Sequence, residues 1–206
     1  MKKIIFIVIA IILGLSSCHD DDYITGVPSF GPPEVNNMAE RVNGRVALGY
    51  VTYYGKMLPD PTYMTHINYA FAELYVKNNV YQKFDLQGDK ERFNQVKKLK
   101  ERNSNLKILL SFTNSVSNNG NSQDGGFSAL AKSPEMRKQF AQDCKKFVQQ
   151  EGIDGIDIDW EFPGMTFGSN AYDPLVDVEN FTLLMKDLRE TLSSSCLLYT
   201  SDAADE

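Results

Sequence analysis

Residues 154–163 read Asp-Gly-Ile-Asp-Ile-Asp-Trp-Glu-Phe-Pro. Along a strand, successive side chains point to opposite faces. Asp157, Asp159 and Glu161 therefore share one face, and Ile156, Ile158 and Trp160 take the other. The three acids stand about 6 to 7 Å apart along one surface. The apolar row behind them calls for a packed layer, which an acidic strand lying open in water would not have. A calcium loop draws its ligands from irregular backbone around a glycine, not from a period-two strand. A row of carboxyls on a buried strand suits proton transfer better, because crowded carboxylates cannot all ionise cheaply and one is kept protonated. Cleavage of a glycosidic bond needs such an acid, with a pKa above the ordinary glutamate value of about 4.3. Glu161, last on the strand, is placed to reach a substrate, while Asp159 and Asp157 would hold and share protons beneath it. Asp154 has the opposite parity and is expected to support the strand by hydrogen bonding.

The elements that position this row follow from the apolar pattern. Short apolar runs at Val46–Val51, Ile67–Ala72, Ile108–Phe112 and Ile153–Trp160 read as strands buried on both faces, as parallel strands are. Helical periods lie between them, the signature of repeated strand-helix units. Asp89 caps a helix with Phe93, Val96 and Leu99 on one face, ending near Asn103. Ser133-Pro134-Glu135 starts a second, with Met136, Phe140, Cys144, Phe147 and Val148 on one stripe and Gly152 as its stop. Asp177 caps a third, with Phe181, Leu184, Met185, Leu188 and Leu192 facing inward. Cys144 lies on such a stripe and reads as a buried structural thiol rather than a nucleophile. The Asn-, Ser- and Gly-rich segment 114–126 reads as a loop over the site.

The stretch DGIDIDWEFP resembles the DxxDxDxE signature of glycoside hydrolase family 18, the chitinase family. The likeness extends from about Val46 to Leu192: THINYAFA (65–72) is similar to the family's second strand, KILLSF (107–112) to its third, and DVENFTLLMKDLRETL (177–192) to its fourth helix. The fold this implies is the α/β (β/α)8 TIM barrel, present here as about its first four β/α units, since a full barrel takes about 250 residues. The chemistry implied is retaining hydrolysis assisted by the substrate's own N-acetyl group, an exception to the scheme of two catalytic carboxylates. Glu161 would then protonate the leaving oxygen. Asp159 would orient the acetamido group and stabilise the oxazolinium, and Asp157 would trade a proton with Asp159. Asp154 and Ser111 are supporting residues. Tyr50, Phe71 and Trp160 are candidates for sugar contact, with core packing the competing reading for aromatics on strands. One departure concerns the SxGG pattern of the third strand: Ser111 is kept, but Thr113 and Asn114 stand where the glycines belong. Side chains there would narrow a sugar subsite or alter the loop. The tryptophan that many members carry just after those glycines is also missing.

The rest of the sequence bounds partners and place. A net charge of -6 with scattered Lys and Arg gives no footprint for nucleic acid. Cys18, Cys144 and Cys196 form no disulfide framework or metal-binding cluster, and no metal or other cofactor is expected. The expected partner is a polysaccharide or glycan containing N-acetylglucosamine. Residues 1–17, with Lys2 and Lys3 before an apolar run from Ile4 to Leu13, read as a secretory signal too short for a membrane span. Ser16-Ser17-Cys18 resembles a lipoprotein lipobox, with Cys18 as the lipid-attachment residue and the bacterial outer membrane as destination. Residues 18–43, acidic and rich in Pro and Gly, read as a tether, and 44–195 as the partial catalytic domain. The string 196–206 resembles a translated transposase-adapter sequence and is expected to stand outside the domain. Two other functions fit the same residues: an endo-β-N-acetylglucosaminidase acting on N-glycans, and a glycan-binding barrel without catalysis.

Overall fold

The computed structural model describes residues 46–113, 126–165 and 172–192, together with the backbone of the strand at 196–200. All of them fall within one compact unit, Val35–Glu206. In chain order the elements are β1 (Leu48–Thr52), β2 (His66–Lys77), β3 (Val80–Leu86), α1 (Lys90–Lys98), β4 (Lys107–Thr113), α2 (Gly126–Lys132), α3 (Pro134–Glu151), β5 (Gly155–Asp159), α4 (Asp177–Leu192) and β6 (Cys196–Thr200). Short 3-10 turns lie at Pro61–Tyr63 and Leu99–Glu101. The sheet runs β1-β2-β4-β5-β6 with parallel neighbours throughout, and β3 pairs antiparallel with β2. This is the α/β arrangement that a (β/α)8 barrel begins with. The string 196–206 was set apart from the domain on sequence, and within it Cys196–Thr200 lies along β5 with Asp157 opposite Leu198.

The core follows the parity of the strands. Ile67 and Tyr69 of β2, Ile108, Leu110 and Phe112 of β4, and Ile156 and Ile158 of β5 are all fully buried in one apolar cluster. Packed with them are Phe93 and Val96 of α1, Phe140, Cys144 and Val148 of α3, and Leu184, Leu188 and Leu192 of α4. Burial pushes the Cys144 thiol well above its ordinary pKa, so it is held as the uncharged thiol and serves as packing. The helix ends use the expected caps. Asp89 accepts from the Arg92 N–H at 2.8 Å. Ser133 accepts from Met136 at 3.3 Å, and Gly152 takes the left-handed conformation that ends α3.

Two elements depart from the sequence expectation. β2 does not end at Ala72 but runs to Lys77 and turns back through Asn78 and Asn79, both with positive φ (51° and 57°), into β3. A two-residue turn with both φ values positive matches the right-handed twist of the flanking strands. β3 then lays Phe84 against Phe112, Phe140 and Phe147, at centroid separations of 4.9, 6.1 and 5.6 Å. Tyr81 is also buried, its hydroxyl donating to Asp143 at 3.2 Å. The hairpin is thus a wall of the core. The second departure is α2, which starts at Gly126, the last residue of the expected loop, and covers residues 127–132, to which no element was given; it buries Phe127, Leu130 and Ala131.

The N-terminal end of β5 is pinned by Asp154. Its backbone N–H donates to the Ile108 carbonyl at 2.8 Å, and its carboxylate accepts from the Ile108 N–H at 2.9 Å. Lys100 Nζ lies 2.6 Å and Lys107 Nζ 3.3 Å from the same carboxylate. Burial works to raise its pKa, but the Lys100 contact, the Ile108 N–H and Lys107 outweigh it and hold the group below the ordinary aspartate value.

The turn at Asn78-Asn79 generates a stability prediction. Glycine meets no steric penalty at φ of 57°. Asn79→Gly is therefore expected to raise the stability of the folded chain by about 0.5–1 kcal/mol, read as a higher urea midpoint at unchanged slope.

Candidate active site

β5 ends at Asp159, so its outermost acids lie at the C-terminal edge of the sheet, where folds of this architecture place their chemistry. Because Ile156, Ile158 and Trp160 are committed to the helix layer, Asp157 and Asp159 are directed to the other side. Exposure then rises in sequence: Asp157 is fully buried, Asp159 half-buried and Glu161 exposed. Glu161 lies just past the last ladder pair of β5, at the position from which a side chain can meet a solute.

Asp157 is built in from three strands. Ser111 stands directly opposite it in the β4–β5 register and donates its hydroxyl to Oδ2 at 2.7 Å. Tyr50, reaching across from β1, donates to the same oxygen at 2.8 Å. Asn68 of β2 is fully buried beside them. It lies close enough to favour the Asp157 carboxylate, yet neither of its amide atoms, nor Asp157 Oδ1, has a hydrogen-bond partner of good geometry. One carboxylate oxygen thus takes two donors and the other is bare. Burial drives the Asp157 pKa upward, and the hydrogen bonds from Ser111 and Tyr50 oppose it without cancelling it. A proton on Oδ1 removes the cost of a charge in that setting, so the inner member of the row is a place to store one.

The same geometry sorts the remaining sequence candidates. Tyr50 is on the acid face, with its ring 6.3 Å from that of Phe71, and its hydroxyl acts on Asp157. Phe71 is half-buried at the point where the β2–β4 register shifts between Ala70 and Ala72. Trp160 is not a sugar contact. It is 2% exposed, stacked on Phe127 at 5.4 Å and edge-on to Phe181 at 5.8 Å, because its parity on β5 turns it into the apolar layer. Asp154 sits at the opposite end of β5 from Glu161, in the clamp already described. Thr113 lies at the end of β4, buried and opposite Asp159 in register, with Glu73 of β2 opposite it on its other side. Asn114 and Cys18 lie outside the described residues. His66 opens β2, its Nδ1 2.9 Å from the Thr65 hydroxyl, with its pKa lowered by burial and then by Lys107.

Sequence reasoning missed Asn68 and the role of Tyr50. Each left a signal: Asn68 is the one strongly polar residue within the apolar run Ile67–Ala72, and Tyr50 is the polar-tipped residue one step before Val51. A buried amide in an otherwise apolar strand implies a polar neighbour.

The raised pKa of Asp157 has a defined consequence for stability. A carboxyl that holds its proton more tightly folded than unfolded favours the folded state most at low pH, and the advantage falls as pH rises from the ordinary aspartate range through the raised value. Asp157→Asn keeps the shape and removes that charge. The gap in melting temperature between the variant and the parent is expected to widen in the variant's favour between pH 4 and pH 8. Thermal melts across that range check it, and a gap independent of pH would contradict it.

A family model, Glycosyl hydrolases family 18, matches residues 46–201. Among curated relatives, the probable chitinase 2 of Drosophila melanogaster is 31% identical over 148 residues, which covers 69% of this chain and 28% of that protein. Two solved structures are also similar. The chitinase domain of the spore coat protein CotE from Clostridium difficile gives a TM-score of 0.63 at 25% identity, over 76% of this chain and 42% of that one. A glycoside hydrolase family 18 N-acetylglucosaminidase from Paenibacillus barengoltzii gives 0.59 at 29%, over 75% and 44%. The chain spans about a quarter of the length of the curated relatives it matches. With a match that runs from before β1 to past β6 and takes in the whole acid row, the chain belongs to glycosyl hydrolase family 18.

Proposed function

We propose that this chain carries the acid row of a retaining glycosidase that cleaves β-1,4 links between N-acetylglucosamine units of chitin or its oligosaccharides. The observation that carries the reading is the graded row on β5: Asp157 buried with Ser111 and Tyr50 on one oxygen, Asp159 half-buried, and Glu161 exposed at the rim. Two of the similar proteins are named chitinases and one an N-acetylglucosaminidase, which supports the substrate class.

In this reading Glu161 gives its proton to the glycosidic oxygen as the bond to the anomeric carbon breaks. The carbonyl oxygen of the neighbouring N-acetyl group attacks that carbon and forms an oxazolinium, so no enzyme carboxylate need act as nucleophile. Asp159 faces the acetamido N–H, orients it and balances the positive charge of the intermediate. Asp157 supports this by taking up a proton on its bare Oδ1, which leaves the negative charge on Asp159. Water then opens the oxazolinium, with Glu161 as the base that returns to the acid form.

The decisive variant is Glu161→Gln in the full-length protein. Loss of the general acid is expected to lower kcat on chitotetraose by about 10³-fold, within the usual range for such groups, with binding of the oligosaccharide retained. Unchanged turnover would remove Glu161 from the role. A high-mannose glycopeptide assayed beside chitotetraose separates chitin-type substrates from N-glycans, and faster cleavage of the glycopeptide would overturn the substrate assignment.

The proposal extends to location. Residues 1–18 lie outside the described residues, and the reading rests on their sequence: a charged, then apolar, then small-residue signal ending in Cys18. The protein is exported and lipid-anchored to the bacterial outer membrane through that cysteine. Cys18→Ala is expected to abolish incorporation of labelled palmitate and to move the protein out of the membrane fraction; continued labelling would contradict the anchor.

A further inference from the structure

Glu161 has no strand ladder to hold it, since β5 ends two residues earlier. The chain is fixed on either side of it. Upstream, Trp160 is buried against Phe127 of α2 and Phe181 of α4. Downstream, the turn after Glu161 closes with the Met165 N–H on the Phe162 carbonyl at 3.0 Å, and Gly164 takes a left-handed φ of 80°. The Gly164 N–H points at Oδ2 of Asp177, 3.4 Å away. That carboxylate is fully buried and takes two closer donors: the Asp173 N–H on Oδ2 at 2.6 Å and the Ser128 hydroxyl on Oδ1 at 2.8 Å.

The two anchors converge. Phe127 and Ser128 are consecutive residues of α2, and Asp177 and Phe181 are four apart on α4, which places them on one face of that helix. One helix pair thus grips the chain one residue before Glu161 with rings, and three residues after it with a carboxylate. On sequence, Asp177 is a cap for its own helix. In the structure it is the first helical residue, and donors reach it instead from α2 and from the segment between β5 and α4. A buried carboxylate is costly unless several donors meet it, and these three, with the positive end of α4 adjacent, supply that compensation.

We propose that Asp177 is a positioning residue for the reaction: by holding the turn at Gly164 to α2 and α4, it sets where the Glu161 carboxyl stands. The inference rests on the proton-donor reading of Glu161 and adds the element that fixes its geometry. A misplacement of about 1 Å in a reacting group is enough to cost about 10²-fold in rate.

The test is a kinetic split in the full-length enzyme, assayed on chitotetraose well below the melting temperature of each variant. Asp177→Ala is expected to lower kcat by about 10²-fold with KM within about 2-fold of the parent, since the binding surface is left in place. Asp177→Asn can turn its amide so that the oxygen accepts both backbone N–H groups and the NH2 donates to the Ser128 hydroxyl. It should recover kcat to within about 5-fold of the parent, a rescue tied to that geometry. A merely structural role would lower the melting temperature and leave kcat of the folded enzyme unchanged, and that result overturns the proposal. Should Asp177→Ala fail to fold, Gly164→Ala decides. A Cβ there meets nothing nearer than Pro174 Cα at 3.5 Å, so the core is spared while the left-handed backbone is strained. A kcat about 10-fold lower at unchanged KM supports the proposal and parental kcat overturns it. Glu161→Gln is run in parallel: if it is inactive while the Asp177 and Gly164 variants keep parental kcat, the positioning role fails alone. If Glu161→Gln retains turnover, the proton-donor reading itself has failed.

Discussion

A carboxyl without solvent, sitting in the middle of a parallel sheet, constrains everything around it. Asp157 can be tolerated there only because two other strands bring hydroxyl donors to one of its oxygens. Tyr50 reaches it from β1 and Ser111 from β4, so the strand order and the register between strands are conditions of the site as much as of the fold. A slip of one residue in β5 would exchange the acids for Ile156 and Ile158, placing charge in the helix layer and apolar groups on the site face. Core and active-site surface are two sides of one alternation, and neither can drift without the other.

That alternation is why so much was legible beforehand. A period of two with acids on one parity and Ile-Ile-Trp on the other determines both faces of β5. The caps at Asp89 and Ser133 act through single side-chain contacts with nearby N–H groups, and such local events leave plain marks in sequence. What was not legible is non-local. The β2–β3 hairpin hangs on two asparagines in the left-handed region, a conformation that asparagine tolerates but does not announce as glycine would. Its value comes from Phe84 meeting rings on β4 and α3, residues far along the chain. Trp160 was drawn toward sugar binding by its residue type, although its parity already placed it in the core. Asp177 reads as an ordinary helix start until the segments it joins are seen together.

Burial and exposure divide the labour among the three acids. The buried one trades charge for a proton, and the cause is desolvation. In the proposed reading the exposed one exchanges protons with substrate and water, and a side chain beyond the ladder suits that exchange. A residue beyond the last ladder pair also takes its position from its flanks. The packing of Trp160 and the hydrogen bonds to Asp177 meet that need from a single pair of helices.

The rim of β4 shows how the same frame can be modulated. Glu73, Thr113 and Asp159 stand level across β2, β4 and β5, at the last step at which these three strands pair. Neighbouring strands are about 4.8 Å apart, so a side chain at the middle position stands in contact range of both flanking carboxylates. Glycine would leave that middle position empty. Threonine fills it with a hydroxyl and a methyl, and is itself almost wholly buried, so the volume is occupied by protein rather than offered to solvent. The hydroxyl also brings a donor into a row otherwise made of acceptors. The surface beside Asp159 is therefore better filled and better supplied with donors than a glycine at 113 would make it, while the contacts of Asp157 are left intact. Variation at this position can change what fits above Asp159 without disturbing how Asp157 is held, because Thr113 lies one full pleat further along β4 than Ser111.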